Sequence, residues 1–122
     1  MRIEFTKMHG VGNDFVIFDA PVPDSLLTPH RLRSLADRRT GIGFDQALLL
    51  APASRAHSAA SYRVFNADGA EVEQCGNGAR CIAALLQRRG MAREGTLTLE
   101  SAAGMIQARF EADGAVSVDL GV

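Results

Sequence analysis

The sequence has no excess of charge of either sign. It contains 13 Lys and Arg residues against 14 Asp and Glu residues, for a net charge of −1. The basic residues are scattered, and no basic stripe has aromatic side chains interleaved with it. Because nucleic-acid-binding domains need a basic surface to meet the phosphate backbone, we expect no nucleic acid among the partners of this protein.

Long apolar segments are also missing. The longest apolar run, residues 47–52, is far shorter than the roughly 20 residues that span a bilayer as a helix. In the first five residues, Met1-Arg2-Ile3-Glu4-Phe5, charged and apolar side chains alternate, and the apolar core of a signal peptide is lacking. We therefore expect a soluble protein without an export signal and without a membrane partner.

Cysteines and metal-binding patterns are few. Two cysteines, Cys75 and Cys81, in a chain without an export signal are typical of a reducing cytoplasm rather than of a disulfide framework. The histidines His9, His30 and His57 are isolated, and no His, Cys and Asp spacing resembles a metal site. The predicted location is the cytoplasm, and no metal is expected.

The chain instead contains a series of short strand patterns and two helix patterns. Its 122 residues, 47% hydrophobic and 22% charged, are typical of one globular domain. One helix is predicted from the cap Thr28 and the first-turn Pro29 to about Arg38, and a second from Ala79 to Arg89. Alternating apolar residues predict strands at 2–7, 61–66, 96–99, 105–110 and 116–120, and continuous apolar runs predict more fully buried strands at 15–18 and 47–50.

The second helix is predicted to lie at the centre of the fold. Residues 81–86, Cys-Ile-Ala-Ala-Leu-Leu, are apolar nearly all round the helix, which indicates burial on several sides. In a small domain, such a helix must be wrapped by a sheet, and the flanking strand patterns supply one. The predicted fold class is α+β, with a curved mixed or antiparallel sheet around the central helix and a smaller helix outside it.

The strongest chemical signal is a cysteine at the start of that helix. Cys75 is followed by Gly76-Asn77-Gly78, just before the predicted helical residues. A thiol at a helix N-terminus feels the positive end of the macrodipole, which lowers its pKa toward the reactive thiolate. The two glycines leave backbone N–H groups open to an anion. Cys75 is therefore a candidate nucleophile or base, with a buried structural cysteine as an equally weighted alternative.

Three chemistries suit such a thiol. Nucleophilic catalysis with a Cys–His pair lacks a histidine in a suitable motif. Disulfide exchange with Cys81 has poor geometry, because six residues along a helix are separated by about 9 Å of rise and about 120° of rotation. Proton transfer at a carbon next to a carboxylate fits best, since the helix N–H groups would anchor the carboxylate and stabilise the developing enolate. Cys81 is then a core residue.

Two further polar residues lie at glycine-rich corners. Asn13 follows Gly10-Val11-Gly12, which lacks the third glycine and the following helix of a dinucleotide-binding fingerprint. It is either a turn residue or a presented side chain. Gln46 begins an apolar strand. Its side chain either contacts a ligand or forms a hydrogen bond that holds the backbone in place (a backbone clamp). The clamp is favoured because most side-chain hydrogen bonds go to backbone or water.

Four segments together resemble the diaminopimelate epimerases, the pyridoxal-phosphate-independent amino-acid epimerases of lysine and peptidoglycan biosynthesis. They occur in the family's order and extend the resemblance over essentially the whole chain. Read from the sequence, they are Lys-Met-His-Gly-Val-Gly-Asn-Asp-Phe at 7–15, Gly-Ile-Gly-Phe-Asp-Gln at 41–46, Phe-Asn-Ala-Asp-Gly at 65–69 and Gln-Cys-Gly-Asn-Gly-Ala-Arg-Cys at 74–81.

The resemblance implies a role for each matching position. Cys75 would be one of two catalytic cysteines, and no cofactor would be needed. The backbone N–H groups of Gly76 and Asn77 would hold a substrate carboxylate. Three side chains would contact diaminopimelate, namely Asn13, Gln46 and Asn66.

The chain departs from the family in its length. Family members are about twice as long and consist of two similar halves, each with one cysteine at a helix N-terminus. The resemblance therefore implies that residues 1–122 are an N-terminal half, that the C-terminal half is absent, and that this chain alone is inactive. A homodimer is a further possible partner.

Other interpretations of the chain remain open. A half-site without its partner would serve only as a carboxylate-binding or assembly domain. Proline racemase-like enzymes also use two thiols as acid and base, but their cysteine motifs differ from that at Cys75. Phenazine-biosynthesis-type isomerases share the fold without this cysteine.

Overall fold

The computed structural model describes residues 3–10, 12–73, 76–91, 95–112 and 116–119. Within them, no helix combines the length and the apolar character needed to cross a membrane. The elements in chain order are β1 (Phe5–Gly10), β2 (Asn13–Asp19), a 3-10 helix (Asp24–Leu27), α1 (Pro29–Ala36), β3 (Gln46–Ala51), β4 (Ala60–Asn66), β5 (Glu71–Val72), α2 (Gly76–Arg88), β6 (Thr96–Ser101), β7 (Gly104–Phe110) and β8 (Val116–Asp119).

The described strands form one mixed sheet. Its order is β1-β2-β3-β4-β6-β7-β8, with β5 paired to β4 beside this path. The β2–β3 and β4–β6 pairs are parallel, and each is joined by a crossover that contains a helix, as parallel neighbours require. The other pairs are antiparallel, and β6, β7 and β8 form the predicted meander. The α+β prediction is confirmed, and the sheet is mixed.

The two faces of the sheet have separate cores, because successive side chains of a strand point to opposite faces. Phe15 and Leu48 pack in one cluster with Ile82 of α2. Val16 packs in the other cluster with Leu32 of α1. Helix α2 contacts β1 and β8, which lie at opposite ends of the strand order, so the sheet curls around it. This confirms a central helix and a smaller outer helix.

Helix α1 ends earlier than predicted. Thr28 is its N-cap, with the hydroxyl oxygen accepting from the Arg31 N–H at 3.2 Å, and Pro29 occupies the first turn, as predicted. The helix stops at Ala36 because Asp37 adopts an extended backbone, and its carboxylate accepts from the N–H groups that follow. The expectation that Arg38 belongs to the last turn is therefore wrong.

Helix α2 begins earlier than predicted, at Gly76 instead of Ala79. Glycine costs a helix about 1 kcal/mol relative to alanine, which argues against a start in this segment. The packing of Gly78 and Ala79, both buried, offsets that cost. The first turn also contains a hydrogen bond at 3.0 Å, from Arg80 to the side-chain oxygen of Asn77.

The first two strands form a hairpin that is closed by a short turn. Strand β1 continues through His9 to Gly10, where the sequence suggested a break. Gly10 pairs with Asn13, which leaves two residues between the strands, and Gly12 has a φ of +83°. Two-residue hairpin turns require such left-handed residues, which glycine adopts without strain. As a result, Asn13 is the first residue of β2 rather than part of a loop.

Candidate active site

Two of the predicted substrate-binding side chains contact each other. Gln46 is the first residue of β3 and Asn66 is the last residue of β4, and the antiparallel register places them opposite each other. The Gln46 Nε2 donates a hydrogen bond to the Asn66 Oδ1 at 2.9 Å. Both residues are half-buried. The β3–β4 pairing thus brings together two amides that are 20 residues apart in sequence.

Asn13 lies at the same end of the sheet. It is the first residue of β2, which runs parallel to β3, and the residue two positions on pairs with Gln46. Each of the three predicted polar residues is two positions from a side chain of the α2-side core and therefore points toward the α2 face. Those core side chains are Phe15, Leu48 and Val64.

The direction of α2 places its N-terminus at this end as well. In the first half of the helix, the Cys81 thiol lies 3.6 Å from the sulfur of Met8, which pairs with Phe15 near the start of β2. Just beyond its C-terminal end, Arg89 binds the carboxylate of Asp19, the last residue of β2, at 2.8 and 3.0 Å. Helix α2 therefore runs along β2 in the same direction, and its first residue, Gly76, shares an end of the domain with the three polar side chains.

The first turn of α2 is suited to an anion. The N–H groups of a first helical turn have no intrahelical acceptor and lie at the positive end of the macrodipole. Among the described residues, a Cβ atom added at Gly76 would meet no atom within 4 Å apart from its chain neighbours and its own helix backbone, so the space beside it is open. The Asn77 side-chain oxygen accepts from Arg80, whose Nε also donates to the Val116 carbonyl at 3.2 Å. The orientation of the Asn77 side chain is therefore fixed.

Of the two cysteines, only Cys81 lies within the residues that the structure describes. Cys81 is a buried thiol with 7% of its surface exposed, packed in the α2-side core. This confirms that it is a core residue. Cys75, the predicted catalytic thiol, lies outside the described residues, as does Gln74. In sequence, Cys75 directly precedes Gly76, the first residue of α2.

A charged cluster lies on the opposite face of the sheet, behind the candidate site. The guanidinium of Arg38 donates to the Asp14 carboxylate at 2.7 Å and to the Asp45 carboxylate at 3.1 Å. His9 pairs with Asp14 across the β1–β2 hairpin. Arg38, and after it His9, hold the pKa of Asp14 below its usual range. Sequence reasoning missed this cluster, although Asp14 and Asp45 directly adjoin two of the predicted site residues.

Among the described residues, no group of three His, Cys, Asp or Glu side chains is placed to hold a metal ion. The functional groups that meet at this end of the sheet are amides and backbone N–H groups. Such groups can bind the carboxylate and ammonium groups of an amino acid, because amides both donate and accept hydrogen bonds.

Comparison with known proteins identifies the family. The family profile described as Diaminopimelate epimerase matches residues 5–122. The chain belongs to the diaminopimelate epimerase family. The diaminopimelate epimerase of Thioalkalivibrio sulfidiphilus is 51% identical over 122 residues, and that of Aromatoleum aromaticum is 49% identical over 122 residues. These matches cover 99% and 100% of the chain but 44% of each relative. The chain thus spans less than half the length of these curated relatives.

Solved structures share the fold of this family member. A hydroxyproline epimerase from Agrobacterium vitis, with trans-4-hydroxy-L-proline bound, superimposes with a TM-score of 0.71 at 20% identity, covering 95% of this chain and 40% of that one. A probable proline racemase from Agrobacterium radiobacter K84 gives 0.72 at 21% identity, covering 96% and 41%. A phenazine biosynthesis protein of the PhzF family from Enterococcus faecalis gives 0.61 at 16%, covering 83% and 35%. At these identities, the likeness extends to the fold alone.

Proposed function

We propose that residues 1–122 form the N-terminal half of a two-domain diaminopimelate epimerase, whose C-terminal half lies outside this chain. The enzyme interconverts LL- and meso-diaminopimelate in the cytoplasm without a cofactor, as a step toward lysine and peptidoglycan precursors. The observation that carries the proposal is the family match over residues 5–122, which includes Cys75. The position of Asn13, Gln46 and Asn66 at the α2 N-terminal end supports it.

In the proposed reaction, a proton leaves one face of the α-carbon and another arrives at the opposite face. The thiolate of Cys75 takes the α-proton, and the electron pair of the broken C–H bond delocalises into the carboxylate as an enolate. A thiol of the C-terminal half gives its proton to the opposite face, which inverts the centre and leaves that group as a thiolate. In the reverse direction, the two thiols exchange roles. Because each turnover removes one proton and adds one, no oxidant or reductant is consumed.

The N-terminus of α2 is assigned to the carboxylate beside the reacting carbon. Backbone N–H groups of Gly76 and Asn77 would donate to it, and their effect increases as negative charge develops on the enolate. The Asn77 side chain is already bonded to Arg80, so we assign the contact to its backbone N–H rather than to its amide. The open space at Gly76 supports this assignment.

The amides of Asn13, Gln46 and Asn66 are assigned to the remaining polar groups of the substrate. Diaminopimelate carries ammonium and carboxylate groups, and side-chain amides can accept from the former and donate to the latter. The Gln46–Asn66 hydrogen bond fixes two of the three amides relative to each other before substrate arrives. Such preorganisation reduces the entropy lost on binding.

The short span of the chain favours a second candidate for the chain by itself. Because it covers 44% of its curated relatives, the chain would lack one of the two thiols and act alone only as a carboxylate-binding or assembly half-domain. Its partners would be diaminopimelate and the C-terminal half of the same enzyme. A homodimer of the complete enzyme is compatible with this assignment.

An epimerisation assay separates these candidates. Residues 1–122 are joined to the C-terminal portion of the Thioalkalivibrio sulfidiphilus relative to give a two-half enzyme, and this enzyme and the chain alone are incubated with LL-diaminopimelate. Formation of the meso isomer by the two-half enzyme only is the expected result. A two-half enzyme that folds and inverts proline but not diaminopimelate would overturn the proposal in favour of a proline racemase-like activity.

A further inference from the structure

The charged cluster behind the candidate site joins the beginnings of two strands. One guanidinium, that of Arg38, reaches Asp14 of β2 at 2.7 Å and Asp45, just before β3, at 3.1 Å. Backbone groups also connect the two aspartates. The Asp14 N–H donates to the Asp45 carboxylate at 2.7 Å, and the Asp45 N–H donates to the Asp14 carbonyl at 2.9 Å. Both strand starts are thus tied to each other through three separate kinds of contact.

These ties lie next to the predicted substrate-binding side chains. Asp14 directly follows Asn13, and Asp45 directly precedes Gln46. Neighbouring residues of a strand point to opposite faces, so a group that fixes the carboxylates on the α1 face also fixes the backbone that carries the amides on the α2 face. The first register pair of the β2–β3 ladder is Phe15 with Gln46, so the cluster holds the strand ends where a ladder alone would fray.

The backbone that carries Arg38 is itself well fixed. The Asp37 carboxylate accepts from the backbone N–H groups of Arg39 and Thr40 at 2.8 and 3.1 Å. The Gly43 N–H donates to the Leu35 carbonyl at 3.0 Å. Gly41 is packed so closely that an added Cβ would lie 2.3 Å from the Ser34 carbonyl oxygen. From this anchored loop, a planar guanidinium can hold two carboxylates through N–H groups of fixed direction, which the single ammonium group of a lysine does not provide.

We propose that Arg38 is a positioning residue of the active site, which bridges Asp14 and Asp45 on the α1 face and thereby fixes Asn13 and Gln46 on the substrate face. The positioning of substrate groups rests on the proposed function, whereas the effect on the two amides is a property of the fold alone. Arg38 is about half exposed, at 53%, and exposed ion pairs add little to folding stability. Its loss should therefore disturb the site more than the fold.

The chain contains a matched control at the other end of the same strand. Arg89 binds both carboxylate oxygens of Asp19, the last residue of β2, and is 39% exposed. Arg89→Met removes an Arg–Asp pair from β2 without touching the end where Asn13 lies. Arg38→Met removes the bridge, and Arg38→Lys keeps the charge but replaces the planar two-armed guanidinium by a single ammonium group.

The first test uses the 122-residue chain and needs no substrate. The side-chain amide signals of Asn13, Gln46 and Asn66 are followed by NMR in the parent chain and in the three variants, with urea unfolding as a check on folding. Signals of Asn13 and Gln46 should shift and broaden in Arg38→Met, shift less in Arg38→Lys, and stay unchanged in Arg89→Met. Equal changes in Arg38→Met and Arg89→Met, or none in either, would overturn the positioning role.

The second test uses the two-half enzyme and its kinetics. Arg38→Met should lower kcat/KM for diaminopimelate about 10- to 100-fold, as expected when reacting groups are misplaced by a fraction of an ångström to an ångström, while Arg89→Met keeps the parent value. Arg38→Lys should recover part of the loss. If Arg38→Met keeps the parent kcat/KM, the proposal is wrong. If the parent enzyme is inactive, the proposed function fails, and the amide signals still decide whether Arg38 positions Asn13 and Gln46.

Discussion

At the scale of single residues, the amide of Gln46 has one observed contact and one proposed role. It donates to Asn66 at 2.9 Å, and in the proposed enzyme it also binds the substrate. A primary amide carries two N–H donors and an acceptor oxygen, so one glutamine can pair with Asn66 and bind a ligand at once. The sequence favours a backbone clamp, whereas the structure shows a contact to another side chain. That contact depends on strand register and could not be predicted from the residues around Gln46.

The Gln46–Asn66 contact gives a prediction for Gln46→Met, which keeps the volume of the side chain but removes its amide. The Asn66 oxygen loses a donor, so the free energy of unfolding should fall by about 1 kcal/mol, measured with urea. In the two-half enzyme, kcat/KM should fall at least about 10-fold, because a substrate-binding group is lost as well.

Gln107→Met is the matched control, since Gln107 is an exposed glutamine in β7, away from the site. It should change neither stability nor activity. A Gln46→Met enzyme with the activity of the control would remove Gln46 from the substrate-binding set.

At the scale of secondary-structure elements, two glycines show how local geometry decides the effect of a methyl group. Gly76 begins α2, and within the part of the chain that the structure describes an added Cβ would meet no atom within 4 Å apart from its chain neighbours and its own helix backbone. Gly41 lies in the loop between α1 and β3, and its Cβ would lie 2.3 Å from the Ser34 carbonyl oxygen and 2.6 Å from that of Leu35. The same substitution therefore has opposite consequences at the two positions.

Gly76→Ala should separate stability from function. Alanine favours the helical state, so the free energy of unfolding should stay constant or rise by up to about 1 kcal/mol. The methyl group would occupy the space assigned to the substrate carboxylate, so KM for diaminopimelate should rise in the two-half enzyme. Gly41→Ala should instead cost about 1–3 kcal/mol of stability through the clash. An unchanged KM in a stable Gly76→Ala enzyme would argue against the carboxylate site.

Element types were more predictable than element ends. The cap at Thr28, the apolar run of β3 and the alternation in β6 and β7 are local signals, and the structure confirms the elements that they predict. The start of α2 at Gly76 and the extension of β1 to Gly10 depend on packing and on pairing with β2, which are not encoded in local propensity. Arg38 is 24 positions from Asp14 and 7 positions from Asp45 in sequence. The cluster that they form could therefore be recognised only after the alignment of the strands was known.

At the scale of the whole molecule, the acid side of the pH–stability curve follows from several carboxyl groups with lowered pKa. The Arg38 guanidinium lowers the pKa of Asp14, and the Arg63 guanidinium lowers the pKa of Glu71. Backbone N–H groups of Arg39 and Thr40 lower the pKa of Asp37. The main cause of the lowered pKa of Glu100 is the hydrogen bond from the Ser54 hydroxyl. Because these groups bind protons more weakly in the folded state than in the unfolded state, their stabilising effect is present above the ordinary carboxyl pKa.

Stability should therefore fall as pH drops through and below about 4, where the unfolded chain takes up protons that the folded chain binds less readily. Urea unfolding at a series of pH values measures this slope. Glu71→Gln should show a shallower acid slope than the parent chain, because one of the shifted groups is gone. Stability that is constant or increases between pH 5 and about 3 would contradict these assignments.

The strand order is the global feature that local patterns could not supply. The sequence predicts a mixed or antiparallel sheet, but the parallel pairing of β4 with β6 follows from the crossover through α2. That pairing determines where α2 lies, and with it the position of Gly76 and Asn77 relative to the polar ends of β2, β3 and β4. These groups share one end of the domain, which is compatible with the proposal that a second half completes the site.

The most direct test of the account is α-proton exchange in heavy water, followed by NMR in the two-half enzyme and in its Cys75→Ala variant. The proposed two-thiol mechanism predicts deuterium at the inverted α-carbon with the parent enzyme, and a loss of inversion by about 10²- to 10⁴-fold without the Cys75 thiol. A folded Cys75→Ala enzyme that inverts diaminopimelate at the parent rate would show that Cys75 is not one of the two proton-transfer groups and would contradict this mechanism.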